Sequence, residues 1–151
     1  IDLGGSAVED VYGVVHMASW DDNVPGIAKV KEYCQKNNPQ DMYNDDYLYC
    51  WTTMLIMREI LVQAVKNAGY ETLAKGGKTA WKAVEEQGIF KLKGYTAEGL
   101  VGGTVRYIGG GDNRLDNYLR LYQIKGGKAV AITAWQEAPL IKYEELDWWG
   151  K

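Results

Sequence analysis

Residues 43–51 read Tyr-Asn-Asp-Asp-Tyr-Leu-Tyr-Cys-Trp, and the chain continues from them to Ala68 without a proline or a glycine. Within this stretch Tyr47, Trp51, Met54, Met57, Leu61, Val65 and Ala68 recur at helical spacing. The pattern predicts a helix over 46–68 with that stripe inward and Glu59, Gln63, Lys66 and Asn67 as the polar remainder. Gly69 is a suitable residue just past its end. At 1.5 Å per residue the helix is about 33 Å long, enough to cross a domain. Its first turn offers unpaired N–H groups and a positive dipole end. The aromatics gathered there either line a site for a small polar or zwitterionic ligand or are the first inward residues of an amphipathic helix.

Upstream, Pro25 suits a first helical position, and Ile27, Val30 and Tyr33 or Cys34 follow at helical spacing. This helix is expected to end near Asn37-Asn38-Pro39, because proline disfavours helix in the residue before it. Residues 11–17, Val-Tyr-Gly-Val-Val-His-Met, read as a buried strand, and Asp21-Asp22-Asn23 as a turn. Downstream, a further helix is expected over 77–87, with Trp81 and Val84 inward and Gly88 as its stop. Residues 99–108 are strand-like, and 109–113 form a glycine-rich loop. Residues 118–124 and 128–135 flank Gly126-Gly127, the signature of a β-hairpin whose turn needs positive φ. The reading is α/β, with a body over 1–135 and an acidic, aromatic tail over 136–151.

A length of 151 residues suits one domain, and 46% hydrophobic with 25% charged residues is ordinary for a globular chain. No apolar run approaches the roughly 20 residues of a membrane-spanning helix. A net charge of −3 argues against a nucleic-acid partner. Eleven Tyr and six Trp against one Phe suit half-wet clefts and interfaces. The chain opens Ile-Asp-Leu-Gly-Gly, without Met, basic segment or apolar signal core, so it is expected to begin inside a longer product.

Catalytic chemistry finds little to work with. His16 is the one histidine and lies in the strand-like run, where a hydrogen-bonded structural role is expected. G-x-S-x-G and H-E-x-x-H are absent. The glycine pairs and triplet are not followed by Lys-Ser/Thr, and Asp21-Asp22, Asp45-Asp46 and Glu144-Glu145 read as solvated. Cys34 and Cys50, without C-x-x-C and with one histidine, do not make a zinc site. They are a disulfide in an oxidising compartment or two thiols elsewhere. The chain reads as no enzyme, with no cofactor and no metal.

The order of these motifs resembles the C-terminal portion of type I periplasmic solute-binding proteins of ABC importers, the branched-chain amino acid, amide and urea group. Val11-Tyr12-Gly13-Val14 is similar to that family's G-V-Y-G strand, with Asp10-Val11 where an E-G pair is common. Pro25 and its helix match the segment after it. Tyr47-Leu48-Tyr49-Cys50-Trp51 is similar to Y-x-x-G-W opening the long helix, with Cys50 in place of glycine, and Ala68-Gly69 to the A-G that closes it. Asp112-Asn113-Arg114 falls where D-H-R is frequent, ahead of Arg120-Leu121-Tyr122-Gln123-Ile124, Gly127-Lys128 and Trp135.

The resemblance implies a periplasmic-binding-protein-like fold, here as partial lobe or lobes with a strand, long helices and a C-terminal hairpin. It implies a small amino acid, amide or related solute held in an interlobe cleft that closes on it and then docks on permease subunits. It places Tyr47 in the cleft at the hinge, with Tyr49, Trp51 and Tyr12 behind it. An exported setting, periplasmic or on the outer membrane face, follows, and with it an expected Cys34–Cys50 disulfide. The same fold also serves ligand-sensing modules of receptors and regulators. A part of a two-lobed protein exposes apolar surface, so self-association is expected.

Overall fold

The computed structural model describes residues 4–102 and 118–139. The glycine-rich loop, Asp112-Asn113-Arg114, most of the strand-like 99–108 and most of the tail lie outside those residues. The described elements are strand β1 (Tyr12–Val15), helices α1 (Pro25–Asn37), α2 (Asp45–Ala68), α3 (Tyr70–Ala74) and α4 (Gly77–Ala83), and strands β2 (Tyr118–Lys125), β3 (Lys128–Ala131) and β4 (Gln136–Glu137), with short 3-10 turns between them. The fold is mixed: an antiparallel sheet with helices beside it.

β2 is the centre of the sheet. β1 pairs with it from Tyr12↔Gln123 to Val15↔Arg120, and β3 from Tyr122↔Ala131 to Lys125↔Lys128. Gly126 and Gly127 make the hairpin turn at φ 58° and 72°, a conformation that costs other residues a steric clash. The chain past residue 135 stays with the sheet at first, because Gln136–Glu137 pair with Leu119 and Tyr118.

α1 starts at Pro25 and stops at Asn38, whose N–H donates to the Cys34 carbonyl. Its inward row is Ile27, Val30 and Cys34. Asn44 caps α2 by accepting from the Asp46 N–H at 2.9 Å, Asp45 and Asp46 complement the dipole, and Gly69 ends the helix at φ 81°. The core lies between α1, α2, the segment Met17–Trp20 and the turns around Leu92 and Leu100. Packing is close: a Cβ on Gly26 would stand 2.5 Å from the Leu100 Cγ.

Several expectations are corrected. The buried row of α2 is Leu48, Thr52, Ile56, Ile60 and Ala64. Met54, Met57, Leu61 and Val65 of the anticipated inward stripe face outward. α2 is apolar on two faces, and the segment 84–101 packs along the Leu48 row, with α1 sharing the same core. By length and mean hydropathy α2 is apolar enough to cross a membrane, although Arg58 and Glu59 interrupt its apolar run. The strand β1 is exposed rather than buried, with Tyr12 62% and Val14 59% accessible, because it is a neighbour of β2 with no described helix over those side chains. His16 is exposed and stacks on Tyr49. Trp81 is 69% exposed, and Ala83 takes the inward place on α4. Past Ala83 the helix widens into a π turn, Val84–Gly88, and Gly88 seats against the backbone of α2. Both cysteines are free thiols: Cys34 is buried in the α1 row and donates to the Asn38 carbonyl at 3.2 Å, whereas Cys50 is exposed. The expected disulfide is therefore not formed in the structure.

Candidate functional site

The N-terminal turn of α2 sits under the hairpin, and the space between them is open. One chamber of about 210 Å³ is lined chiefly by Tyr12, Val15, Met17, Leu48, Tyr49 and Tyr122. A second, of about 350 Å³, is lined by Trp20, Asp21, Tyr43, Asp45 and Lys128. Ser19, Asp45 and Ala129 belong to both, so the two adjoin as one cleft with an apolar part and a charged part. The arrangement suits a small molecule with an apolar body and polar ends.

Its walls are braced by hydrogen bonds across the sheet. Gln123 Nε2 donates to Asp10 Oδ1 and to the Tyr12 hydroxyl, each at 3.1 Å, which fixes the Tyr12 ring beside the apolar chamber. Tyr122 donates to Asp22 Oδ2 at 2.5 Å. Arg120 pairs with the same carboxylate and donates to the Tyr122 hydroxyl. Its guanidinium lies 4.9 Å from the Tyr122 ring centre and 4.4 Å from that of Trp135. Burial, reinforced by the Asp22 carboxylate, pushes the Tyr122 phenol up to about 12, so it remains a donor at neutral pH. The cluster ties the loop after β1 to β2 and holds the base of the cleft.

The four expected site residues separate into two pairs. Tyr12 and Tyr49 both line the apolar chamber, where His16 stacks on the Tyr49 ring with centroids 5.6 Å apart. Tyr47 and Trp51 lie on another face of α2, in a groove shared with Cys50, Met54 and Arg58. Trp51 packs on Tyr33 of α1 at 5.3 Å, and Tyr47 on Trp20 at 6.4 Å. Burial, then the neighbouring Cys34 and Tyr33, raises the Tyr47 phenol above its usual value. Successive helix residues point 100° apart, so a helical Tyr47 and Tyr49 cannot share a wall. Asp45, Trp20, Tyr43 and Lys128 were not singled out as site residues. Asp21-Asp22-Asn23 and Gly126-Gly127 marked their loops as turns, but no local signal brings the hairpin turn over α2. Among the described residues, no group of three or more His, Cys, Asp or Glu is placed to hold a metal ion.

No protein-family model matches this chain, and no curated protein does. Among solved structures, the chain is similar to the crystal structure of a branched chain amino acid ABC transporter from Thermus thermophilus with bound valine. The identity is 19% and the TM-score 0.65; the likeness covers 91% of this chain and 36% of that one. The chain therefore has, over most of its length, the fold of part of that structure, and it spans about a third of the matched chain.

Proposed function

We propose that the chain is part of an extracytoplasmic solute-binding component of an ABC importer, and that it holds a small amino acid or related amide-type solute without transforming it. The supporting observation is the cleft under the hairpin, within a fold shared with a transporter structure that carries bound valine. The apolar chamber lined by Tyr12 and Tyr49 takes the solute's body. In the charged chamber, Asp45 and Asp21 face an ammonium or amide group, and Lys128 faces a carboxylate. A ligand that touches the hairpin side and the helix side together favours their closed arrangement over the open one. Closure, export and docking on permease subunits belong to the same reading, as does a body over 1–135 with a tail over 136–151.

Calorimetric titration of the 151-residue chain with valine, leucine, urea and short amides tests it. Saturable heat with one of these classes is expected, weakened by Asp45→Asn. No heat with any of them contradicts the reading.

A further inference from the structure

Gly13 is a glycine that neither its backbone nor its packing requires. It lies inside β1, and its φ is not positive. A Cβ there would meet no atom within 4 Å. Glycine weakens a strand interior and often marks a place where a ligand or another backbone comes close. Here no protein atom takes up the space, so it stands open to a ligand.

Register shows where that space lies. Gly13 is opposite Tyr122, and directly opposed residues send their side chains to the same face of a sheet. Val11 and Val15, two residues to either side, share that face, as do Ile124 and its partner Ala129. All of them line the apolar chamber of about 210 Å³, and so does Gly13. The absent side chain therefore adds its room to the chamber.

That room exceeds what an isopropyl group fills, since a cavity of about 150 Å³ already admits benzene. A ring-shaped body also finds aromatic partners there, Tyr49 from α2 and Tyr122 from β2. The Tyr122 ring is anchored through its hydroxyl to Asp22 and Arg120. Asp45 lines the apolar and the charged chamber alike, so an ammonium group can sit next to the apolar body, as it does in an α-amino acid.

We propose that Gly13 sets the size limit of this cleft, and that the preferred solute is an amino acid with a ring-sized apolar side chain, phenylalanine rather than valine. The inference rests on the solute-binding reading above and narrows its substrate class.

Calorimetric titration of the 151-residue chain with phenylalanine and with valine reads it out. Phenylalanine is expected to bind about 10-fold or more tighter than valine, the gain that extra apolar contact in a pocket supplies. Gly13→Val fills the chamber from a strand position that β-branched residues suit, so the circular dichroism should persist. It should weaken phenylalanine by about 10-fold or more and valine by less than about 3-fold. Ala129→Leu closes the chamber from β3 and should discriminate in the same way, which keeps the test open if Gly13→Val does not fold. Valine bound as tightly as phenylalanine, or both solutes weakened alike by the folded variants, overturns this inference and leaves the solute-binding reading standing. No heat with either solute overturns both.

Discussion

Tyr122 and Asp22, 100 residues apart in sequence, share a hydrogen bond of 2.5 Å that fastens the central strand to the loop leading into α1. Arg120 completes the cluster by pairing with the same carboxylate; the Arg120 and Asp22 side chains are only 13% and 12% exposed. Removing one partner leaves the other charge desolvated and unpaired. Asp22→Ala is therefore expected to cost about 2–4 kcal/mol in urea unfolding. A loss below about 0.5 kcal/mol would show the cluster to be as weak as a surface ion pair.

The same phenol sets an alkaline limit. Its pKa is 10.0 when unperturbed and about 12 in the folded chain, chiefly through burial. The folded state thus retains a proton that the unfolded state loses. The contribution is fully present below pH 10 and declines as pH rises toward 12. Tyr122→Phe should flatten this part of the stability–pH curve; an unchanged slope in that variant would contradict the assignment.

Gly88 permits the close approach of the π turn to α2. A Cβ there would lie 2.6 Å from the Ile60 carbonyl oxygen, a backbone atom that cannot turn aside. Gly88→Ala is expected to destabilise by about 1–3 kcal/mol through overpacking. Gly13→Ala meets no atom within 4 Å of its Cβ and serves as the control. Equal urea midpoints for the two variants would refute the packing argument.

Trp51 buries its indole Nε1 without a hydrogen-bond acceptor among the described residues. A buried orphan donor costs about 1–3 kcal/mol, so Trp51→Phe should leave stability unchanged or raise it, despite the lost ring area. A drop of more than about 2 kcal/mol on thermal unfolding would mean that the indole N–H has a partner.

The parts that were legible in the sequence are those decided by local chemistry. Pro25 and Asn38-Pro39 bound α1, Gly69 ends α2, and Gly126-Gly127 turn the hairpin, because each requires a backbone geometry its own residue type favours. The face of α2 was not legible. Leu48, Ile56 and Ile60 form one apolar row, and Met54, Leu61 and Val65 another, so periodicity alone admits both. Burial is decided by the segment 84–101 and by the core shared with α1, which lie outside the helix's own sequence. The exposure of Tyr12 and Val14 escaped for the same reason, since composition marks a strand but not what lies over it. The charged part of the cleft was missed because Lys128 and Asp45 come to one chamber only through the fold. The resemblance correctly anticipated the shared fold, while of its aromatic set only Tyr12 and Tyr49 line the cleft.

The central claim is that a small solute binds between the hairpin and the first turn of α2. Amide chemical-shift mapping of the isotope-labelled chain during titration with valine addresses it at residue level. Saturable shifts should concentrate at Tyr12–Val15, at Asp45 to Tyr49 and at Gly127 to Ala129, and Tyr49→Ala should reduce them. Absent shifts, or shifts confined to the Trp51–Met54–Arg58 groove, would contradict the account.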